Sequence, residues 1–403
     1  MIHETEMGNR GSKSSALGID SVTVKEQRVY GNWCKGFRHL RCTLTGFERS
    51  GLLGPFLRQT LGNYQIGIPS NQINKLRSYT SFITHKPIHE FTLNPWFITG
   101  FSDAEGSFSI LIQPNNKYIT NYRVKAIFAI GLHKKDVIIL DKIQSALGVG
   151  KIHKHGENSV QFRVESIKEL QIVINHFDNY PLVSAKGVDY TLFKQAFNII
   201  KSQNHLVEKG LLELVGIKAS LNLGLSPGLK EAFPNWKDIQ LERPDFIFTN
   251  IPDPNWLAGF SSGDGSFNIK IGSSTSTRSG YRVQLRFSIG LNIREKVLIE
   301  SIVTYFNLEG SSIKSKSVSE DSAPEHKNVY FGSNSVNLQV VRLSDIMDKI
   351  IPFFEKYPIQ GQKSLDFKDF KRVTYMLNNK EHLTSEGLNK ILEIKASMNE
   401  ERI

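Results

Sequence analysis

The chain has 403 residues, of which 39% are hydrophobic and 22% are charged, enough for a buried core and two or three domains. No apolar run approaches the ~18–20 residues that cross a membrane, and we expect no membrane partner. Cys34 and Cys42 are the only cysteines, which excludes disulfides and thiolate metal sites from the chain after residue 90. The net charge of +11 favours a polyanionic partner, although charge alone fits a merely basic soluble protein equally well.

Residues 1–90 differ in composition from the rest of the chain. They contain 12 Lys and Arg against 6 Asp and Glu, and they show neither the helical nor the strand period. Stretches such as "GNRGSKSSALG" and "IPSNQINKLRSYTS" are typical of loops or disordered chain. Glu4 and Glu6 come too early for an acid-poor import presequence. We therefore expect a largely disordered leader that lies outside the folded body.

The remainder of the chain contains an internal duplication. The stretches "NPWFITGFSDAEGSF" (94–108) and "DPNWLAGFSSGDGSF" (253–267) are near-copies at an offset of 159 residues. "HFDNYPL" (176–182) matches "FFEKYPI" (353–359) at an offset of 177, so the second copy has 18 extra residues, most simply in the polar stretch 309–328. Two copies of one unit imply pseudo-twofold symmetry, like a homodimer fused into one chain.

The duplication divides the body into two domains. We predict a first domain at 91–230, a linker at 231–252 that contains three prolines, and a second domain at 253–403. Each copy has the pattern helix, strand, strand, helix, strand, strand, helix, helix, which predicts an α+β fold.

Side chains along the predicted strands point alternately to an apolar face and to a polar face of the sheet. In the strand at 281–289, Val283, Leu285 and Phe287 point one way, and long hydrogen-bond donors point the other. Arg and Gln read guanine and adenine edges in the major groove, so the polar faces are candidate DNA-binding surfaces, with plain solvent exposure as the alternative. The candidate residues are Arg123, Lys125, Lys151, Gln161 and Arg163 in the first copy and Asn268, Lys270, Arg282, Gln284, Arg286 and Ser288 in the second.

Each near-copy predicts a helix of about three turns. Asn94 and Asp253 are N-cap residues that are followed by proline at the first helical position. Gly106 and Gly265 stand where a residue in the left-handed conformation would end the helix.

Small residues recur at the i, i+4 spacing in both helices. The pairs are Gly100 with Ala104 and Gly259 with Gly263. Such pairs let two backbones approach closely, which offsets the ~0.5–1 kcal/mol that glycine costs inside a helix. We therefore expect the two helices to pack on each other along the pseudo-twofold axis.

Glu105 and Asp264 each close one of these helices at its partially negative C-terminal end. Docking the helices brings the two carboxylates together, and without compensation one of them has to take up a proton. Divalent cations remove this repulsion, and oxygen-only ligation suits Mg²⁺. Two such ions between the acids and nucleic-acid phosphates can activate water and stabilise the leaving oxygen. The alternative is a pair of solvated acids, and the duplication argues against it.

The motif sequences carry a resemblance to a known family. "ITGFSDAEG" (98–106) and "LAGFSSGDG" (257–265) resemble the nine-residue signature of the LAGLIDADG homing endonucleases, in particular the two-motif, single-chain members of fungal mitochondrial introns. The resemblance covers about residues 91–400 and extends to "LHKKD", "LFKQAF" and "HLVEKG". It implies two αββαββα domains that form a saddle of antiparallel sheets over double-stranded DNA, with both motif helices at the interface.

The resemblance also implies a function. Family members make a staggered double-strand break across the minor groove of a long, nearly asymmetric site, and they promote copying of their own intron. The implied protein is a monomer that is encoded and located in the mitochondrion. Two alternatives stay open, an RNA maturase that assists splicing of its host intron RNA and a catalytically silent DNA-binding protein. Retention of both acids favours the nuclease.

By position, Glu105 and Asp264 match the metal-binding acids of the family, and main-chain oxygens near Ala104 and Gly263 complete the implied site. The implied cofactor is Mg²⁺, and Mn²⁺ or Ca²⁺ can occupy the same sites.

Gln284 and Lys314 resemble family residues that order the metal–water network around the scissile phosphates, and Lys316 is a neighbouring candidate. As an alternative, the two lysines are solvated groups in "SSIKSKS". Ser262 replaces the sixth-position Asp of the signature, which Asp103 retains, at a position that is structural in the family.

Overall fold

A computed structural model of the chain describes residues 93–308, apart from 276, 278 and 279, and residues 328–399. The predicted leader at 1–90 and the candidate residues Lys314 and Lys316 lie outside the described residues. No helix in these ranges is long and apolar enough to cross a membrane.

Each repeat builds one antiparallel sheet and a set of helices. The first repeat begins with the motif helix, and its elements follow in the order α1 (Pro95–Glu105), β1 (Gly106–Pro114), β2 (Tyr122–His133), α2 (Val137–Leu147), β3 (Lys151–Lys154), β4 (Ser159–Val164), α3 (Ile167–Asn179), α4 (Lys186–Lys201) and α5 (Glu208–Ser220). Two short helices, α6 (Pro227–Ala232) and α7 (Trp236–Ile239), precede the second repeat.

The second repeat follows the same order of elements. These are α8 (Pro254–Asp264), β5 (Gly265–Ser273), β6 (Tyr281–Asn292), α9 (Lys296–Tyr305), β7 (Val329–Phe331), β8 (Ser335–Val340), α10 (Leu343–Asp345), the π-helix Ile346–Ile350, α11 (Ile351–Lys356), α12 (Lys363–Asn378) and α13 (Ser385–Ala396). If α10, the π-helix and α11 are taken as one continuous helix, each repeat has three helices after its last strand, one more than the sequence pattern predicted.

The two sheets have the same strand order, β1-β2-β4-β3 and β5-β6-β8-β7, and all paired strands are antiparallel. In β6, Val283, Leu285 and Phe287 are buried, while the alternate residues face outward. Phe267 of β5 packs on Phe287 and on Phe370 of α12, at centroid distances of 5.1 and 5.3 Å. Helices therefore cover the apolar face of each sheet, which confirms the predicted α+β architecture.

The motif helices begin as predicted. The Asn94 side chain accepts a hydrogen bond from the N–H of Trp96 at 2.9 Å, and the Asp253 side chain accepts one from the N–H of Asn255 at 2.7 Å. Both helices have proline in the first turn and are 11 residues long, which is about three turns.

The predicted left-handed ends of these helices are wrong. Gly106 has φ −73° and ψ 150°, and Gly265 has φ −74° and ψ 151°, the extended backbone of a strand. The chain passes from helix to strand without a loop, and a Cβ at Gly106 would lie 2.6 Å from the carbonyl oxygen of Ser102. Lack of space for a side chain, rather than a positive φ, therefore requires glycine here.

The 18 extra residues of the second repeat precede β7, as predicted. Helices α2 and α9 begin 159 residues apart, whereas Ile152 of β3 and its counterpart Val329 of β7 are 177 apart. Most of the insertion falls at 309–327, outside the described residues. The β7–β8 hairpin is one residue shorter than the β3–β4 hairpin, which lowers the offset between the repeats by one. The π-helix Ile346–Ile350 contains one extra residue, which restores the offset of 177 at α12.

The stretch between the repeats is anchored to the first repeat. Residues 240–253 contain neither helix nor strand. Within them, Arg243 donates hydrogen bonds to the Asp189 carboxylate and to the carbonyl oxygen of Ser220, both at 2.8 Å. This stretch overlaps the predicted linker at 231–252, whose boundaries stay a prediction.

Candidate functional site

The two motif helices cross in close contact where the repeats meet. A Cβ at Gly100 would overlap the carbonyl oxygen of Trp256 and would lie 2.9 Å from the backbone nitrogen of Phe260. A Cβ at Gly259 would overlap the carbonyl oxygen of Phe97. Helices α1 and α8 therefore pack backbone to backbone, which confirms the predicted role of the small residues.

The helices run in the same direction, so their C-terminal ends lie together. A Cβ at Gly263 would touch the Ala104 side chain and would lie 3.1 Å from Cγ and 3.5 Å from Oε1 of Glu105. Asp264 follows Gly263 directly and ends its helix at the same place. The structure thus brings the two acids together, and their role as metal ligands stays a prediction.

The environment raises the pKa of both acids. Burial is the main cause at Glu105 and at Asp264, and the charge of Asp264 raises the pKa of Glu105 further. The ammonium groups of Lys186 and Lys363 act in the opposite direction on both acids. Burial in turn lowers the pKa of each lysine. Four ionisable groups therefore share one poorly solvated place, where the two lysines offset part of the effect of burial and of the repulsion between the acids.

Lys186 and Lys363 are the first residues of α4 and α12, and both reach the motif helices. Lys186 Nζ donates to the carbonyl oxygens of Ser102 at 3.2 Å and Ala104 at 3.0 Å. Lys363 Nζ donates to the carbonyl oxygen of Gly263. The last carbonyls of a helix lack partners within it, so each lysine caps the C-terminal end of one motif helix.

These two lysines were not predicted from the sequence, although a signal for them is present. "YPLVSAK" (180–186) and "YPIQGQK" (357–363) share Tyr, Pro and Lys at the offset of 177. Extending the internal alignment by a few residues would have found them. Their contact with the acids depends on tertiary packing, which no local pattern reveals.

Asp103 and Ser262, at the sixth position of the two motifs, accept hydrogen bonds from the residues that precede α4 and α12. The Asp103 carboxylate accepts hydrogen bonds from the N–H groups of Val183 at 2.9 Å and Ser184 at 3.1 Å. The Ser262 hydroxyl accepts one from the N–H of Gln360 at 3.1 Å. Both side chains therefore bind the chain that leads into the next helix, and the serine accepts fewer of these hydrogen bonds than the aspartate.

The candidate DNA-binding residues of the second sheet lie on its outer face. Strand register sets Asn268 opposite Arg286 and Lys270 opposite Gln284, and Ser288 continues the row toward the motif helices. Arg286 Nε is enclosed and has no hydrogen-bond partner among the described residues. The face therefore contains an enclosed donor that is unpaired within the described residues.

The outer face of the first sheet contains more ion pairing. Glu165 pairs with Lys125 and with Arg163 Nε, the latter at 2.6 Å. The hydrogen bond from Lys125 is the main influence that lowers the Glu165 pKa. Arg123 and Lys151 are exposed on the same sheet. This acid was not predicted, because an acid on a DNA-binding face opposes the general charge pattern.

Two further amide side chains were missed in the second sheet. Gln161 in β4 was predicted, but its counterpart Asn337 in β8 was not, nor was Gln339. Register pairs Asn337 with Gly290 and Gln339 with Ser288, which puts both on the outer face. The two-residue period of "SVNLQV" carries the signal.

Gln284 is not brought to the acids. It pairs with Lys270, five residues beyond Gly265, which is about 17 Å along the strand from the end of the motif helix. Its position groups it with the other outer-face residues, and nothing in the geometry supports the predicted catalytic role.

The two acids have the donor chemistry of a metal centre that a substrate would complete. In the described part of the chain, no cluster of three or more His, Cys, Asp or Glu side chains could hold an ion. Glu105 and Asp264 would supply two ligands, and main-chain oxygens near Ala104 and Gly263, water and phosphate would supply the rest, as is common for Mg²⁺. A cation at the Ala104 oxygen would displace the Lys186 ammonium from it.

Comparison with known proteins points to one family. A family model described as LAGLIDADG endonuclease matches residues 98–197 and 257–374, one segment in each repeat. The chain is 38% identical over 397 residues to the probable intron-encoded endonuclease 3 of Neurospora crassa. That alignment covers 97% of this chain and 69% of the relative.

Solved structures match as well. The LAGLIDADG meganuclease I-CpaMI, bound to uncleaved DNA, is 60% identical, with a TM-score of 0.71 over 76% of this chain and 99% of that one. The I-SmaMI LAGLIDADG homing endonuclease, bound to cleaved DNA, is 38% identical, with a TM-score of 0.70 over 77% and 98% of the two chains. At these identities the likeness extends beyond the fold.

Proposed function

Because the chain belongs to the LAGLIDADG endonuclease family, we propose that it is a site-specific DNA endonuclease that hydrolyses both strands of one long target. The observation that carries this proposal is the meeting of Glu105 and Asp264 at the ends of two parallel helices, between two sheets with donor-rich faces. A protein that only binds DNA would need the faces but not the paired acids.

Mg²⁺ is the cofactor that this donor set fits best, with Mn²⁺ or Ca²⁺ able to take the same place. A bound cation would supply an activated water and would stabilise the leaving oxygen of an in-line displacement. Glu105 and Asp264 would hold the cation, and because they lie together, one site would serve both strands.

Lys186 and Lys363 provide positive charge that does not depend on the cation. Before DNA arrives, their ammonium groups lower the repulsion between the acids. With DNA bound, one ammonium lies close to each scissile phosphate and stabilises the negative charge that grows there. In the cation-free protein, their hydrogen bonds to the ends of α1 and α8 hold the two ammonium groups beside the acids.

Glu105→Gln and Asp264→Asn test the proposal, since each keeps the shape of the side chain and removes its charge. The target is first recovered by cleavage of a randomised duplex library with the wild-type protein. In single-turnover assays on that target with Mg²⁺, each variant should lose cleavage by roughly 100-fold or more, while binding in Ca²⁺ is retained. Asp141→Asn, an exposed acid on α2, is the control. Full cleavage by both motif variants would contradict the proposal.

We further propose that the protein acts as a monomer on mitochondrial DNA and spreads its own intron. The support is the intron-encoded relative of Neurospora crassa and the presence of both motif repeats, each with its acid, in one chain. The intron-free form of the host gene should be cut, and the form that contains the intron should not, because the intron interrupts the target. Cleavage of both forms at equal rates would contradict this role.

A further inference from the structure

We propose that Asp136 and Glu295 are positioning residues, each of which fixes the lysine that the opposite repeat contributes to the site. The inference depends on the proposed function, because it assumes that Lys186 and Lys363 act in cleavage. Neither acid lies on a motif helix. Each ends a short 3-10 turn, Lys134–Asp136 or Ile293–Glu295, that leads into α2 or α9 of its own repeat.

Each acid accepts a backbone hydrogen bond across the interface. The N–H of Gln362 donates to Asp136 Oδ1 at 2.7 Å. The N–H of Ala185 donates to both carboxylate oxygens of Glu295, at 3.1 and 3.2 Å. Ala185 and Gln362 are the N-cap residues of α4 and α12, so the lysine is the next residue in each case. The same contact is therefore made twice, in opposite directions across the pseudo-twofold axis.

The contacts satisfy a need of the two helices. The first N–H groups of a helix have no partner within it, and this end carries a partial positive charge. Neither Ala185 nor Gln362 caps its own helix with its side chain. A carboxylate from the other repeat takes that place, and its charge strengthens the hydrogen bond.

The surroundings leave little freedom at these contacts. Glu295 is 7% exposed and Ala185 is 6% exposed. Gly361, directly before Gln362, has φ +74°, and a Cβ there would overlap the Asp136 carboxylate and lie 2.6 Å from Cδ1 of Ile139. The chain before α12 is thus seated on the other repeat, and the start of each helix, with its lysine, is fixed by the domain that it faces.

The two helix starts are not held equally. Before α4, Asp103 accepts hydrogen bonds from two N–H groups, whereas before α12 the Ser262 hydroxyl accepts from one. The start of α12 therefore depends more on Asp136 than the start of α4 depends on Glu295. Loss of Asp136 should have the larger effect.

Strand-specific nicking separates positioning from general destabilisation. The full chain is assayed in single turnover on the target duplex, with each strand labelled separately. Asp136→Ala should slow one strand by roughly 10- to 100-fold, so that nicked DNA accumulates, and Glu295→Ala should slow the other strand by less. Asp136→Asn and Glu295→Gln keep an acceptor and should recover most of the rate. Asp141→Ala, an exposed acid on α2, should leave both strands unaffected.

A second variant removes the donor instead of the acceptor. Gln362 has φ −59°, which proline also adopts, so Gln362→Pro deletes the N–H and puts the ring Cδ against the Asp136 carboxylate, which breaks the contact without changing residue 136. It should slow the same strand as Asp136→Ala. This result also decides the question if the alanine variant does not fold.

Three outcomes would overturn the inference. The first is equal slowing of both strands, and the second is a wild-type rate in both alanine variants. The third is a strand bias that Asp136→Asn and Glu295→Gln do not relieve, because this result would assign the effect to charge. Lys363→Ala in the same assay separates this inference from the proposed function. A wild-type protein that cuts neither strand contradicts the proposed function, whereas biased nicking by Lys363→Ala without bias in Asp136→Ala contradicts only the positioning role.

Discussion

At the residue scale, Glu105 and Asp264 are ordinary carboxyl groups whose surroundings disfavour the charged form. They lie at the negative ends of two helices, where burial raises the pKa of both. Lys186 and Lys363 compensate this only in part, and their own pKa values are lowered by the same burial. The two acids of the free protein are therefore only partly compensated by positive charge, and a bound cation would complete the compensation.

The raised pKa values predict how stability depends on pH and Mg²⁺. A carboxyl group with a raised folded-state pKa binds protons more tightly in the folded protein, so the free energy of unfolding falls as pH rises from the ordinary carboxyl range through the raised pKa. If these acids are its ligands, Mg²⁺ would bind only their deprotonated forms and should stabilise the protein above that range, by about 2.7 kcal/mol at 100 times its Kd. Urea unfolding at a series of pH values, in EDTA and in Mg²⁺, measures both effects.

The double variant Glu105→Gln/Asp264→Asn is the control for this prediction. Burial also raises the pKa of Asp103 and Glu295, and both stay in the variant. The difference between the two proteins therefore isolates the motif acids. Equal stabilisation of both proteins by Mg²⁺ would exclude these acids as its ligands.

At the element scale, the crossing of α1 and α8 determines whether the acids meet. Gly100→Ala would place a methyl group against the carbonyl oxygen of Trp256, and both atoms belong to rigid helices. Overpacking usually costs about 1–3 kcal/mol, and we expect the upper end of that range or more, because backbone cannot move aside as a side chain does. Urea unfolding measures the loss, and cleavage should fall with it as the acids separate.

Gly228→Ala is the matched control for the crossing. Gly228 also lies in a helix, α6, but is exposed, and a Cβ there would meet nothing within 4 Å. This change should stabilise the protein by about 0.5–1 kcal/mol through the lower helix propensity of glycine. If Gly100→Ala stays within about 0.5 kcal/mol of the wild type, the close crossing is not needed for the fold.

Features with a local cause could be predicted at this scale. Asn94 with its following proline marked a helix start, and the spacing of Gly100 and Ala104 marked a packed face. The end of the helix could not be predicted in the same way, since a helix-ending glycine usually has a positive φ and Gly106 enters a strand directly. Lys186 and Asp136 reach the site from other elements, so the paired acids were predictable and the groups around them were not.

At the scale of the whole molecule, the fold predicts the length of the target. Strands β1 and β5 both start at the joined ends of the motif helices, so the two sheets extend away from the acids. Each strand has nine residues and spans about 30 Å. Two such strands laid end to end would extend over about 60 Å, roughly the length of 18 base pairs. A long site is thus a consequence of the duplication.

The two faces should read their half-sites differently. The first face holds Lys125 and Arg163 in ion pairs with Glu165, whereas the second presents the amide side chains Asn337 and Gln339. Pseudo-twofold symmetry of the backbone therefore coexists with different chemistry on its two halves. This difference, rather than the shared frame, predicts a nearly asymmetric target.

The salt dependence of binding separates phosphate contacts from base contacts on these faces. Arg282 is exposed about 24 Å along β6 from the motif helices, where a long flexible cation suits the phosphate backbone. Arg282→Ala should weaken binding equally on all sequences and lower the slope of log affinity against log salt by about 0.9, the contribution of one phosphate. Arg286→Ala, the matched control, removes an enclosed donor beside Asn268, so it should leave the slope nearly unchanged and relax preference at one or two base pairs. Binding titrations at several salt concentrations, on the target and on single-base variants of it, distinguish these cases, and an unchanged slope in Arg282→Ala would remove this arginine from the phosphate contacts.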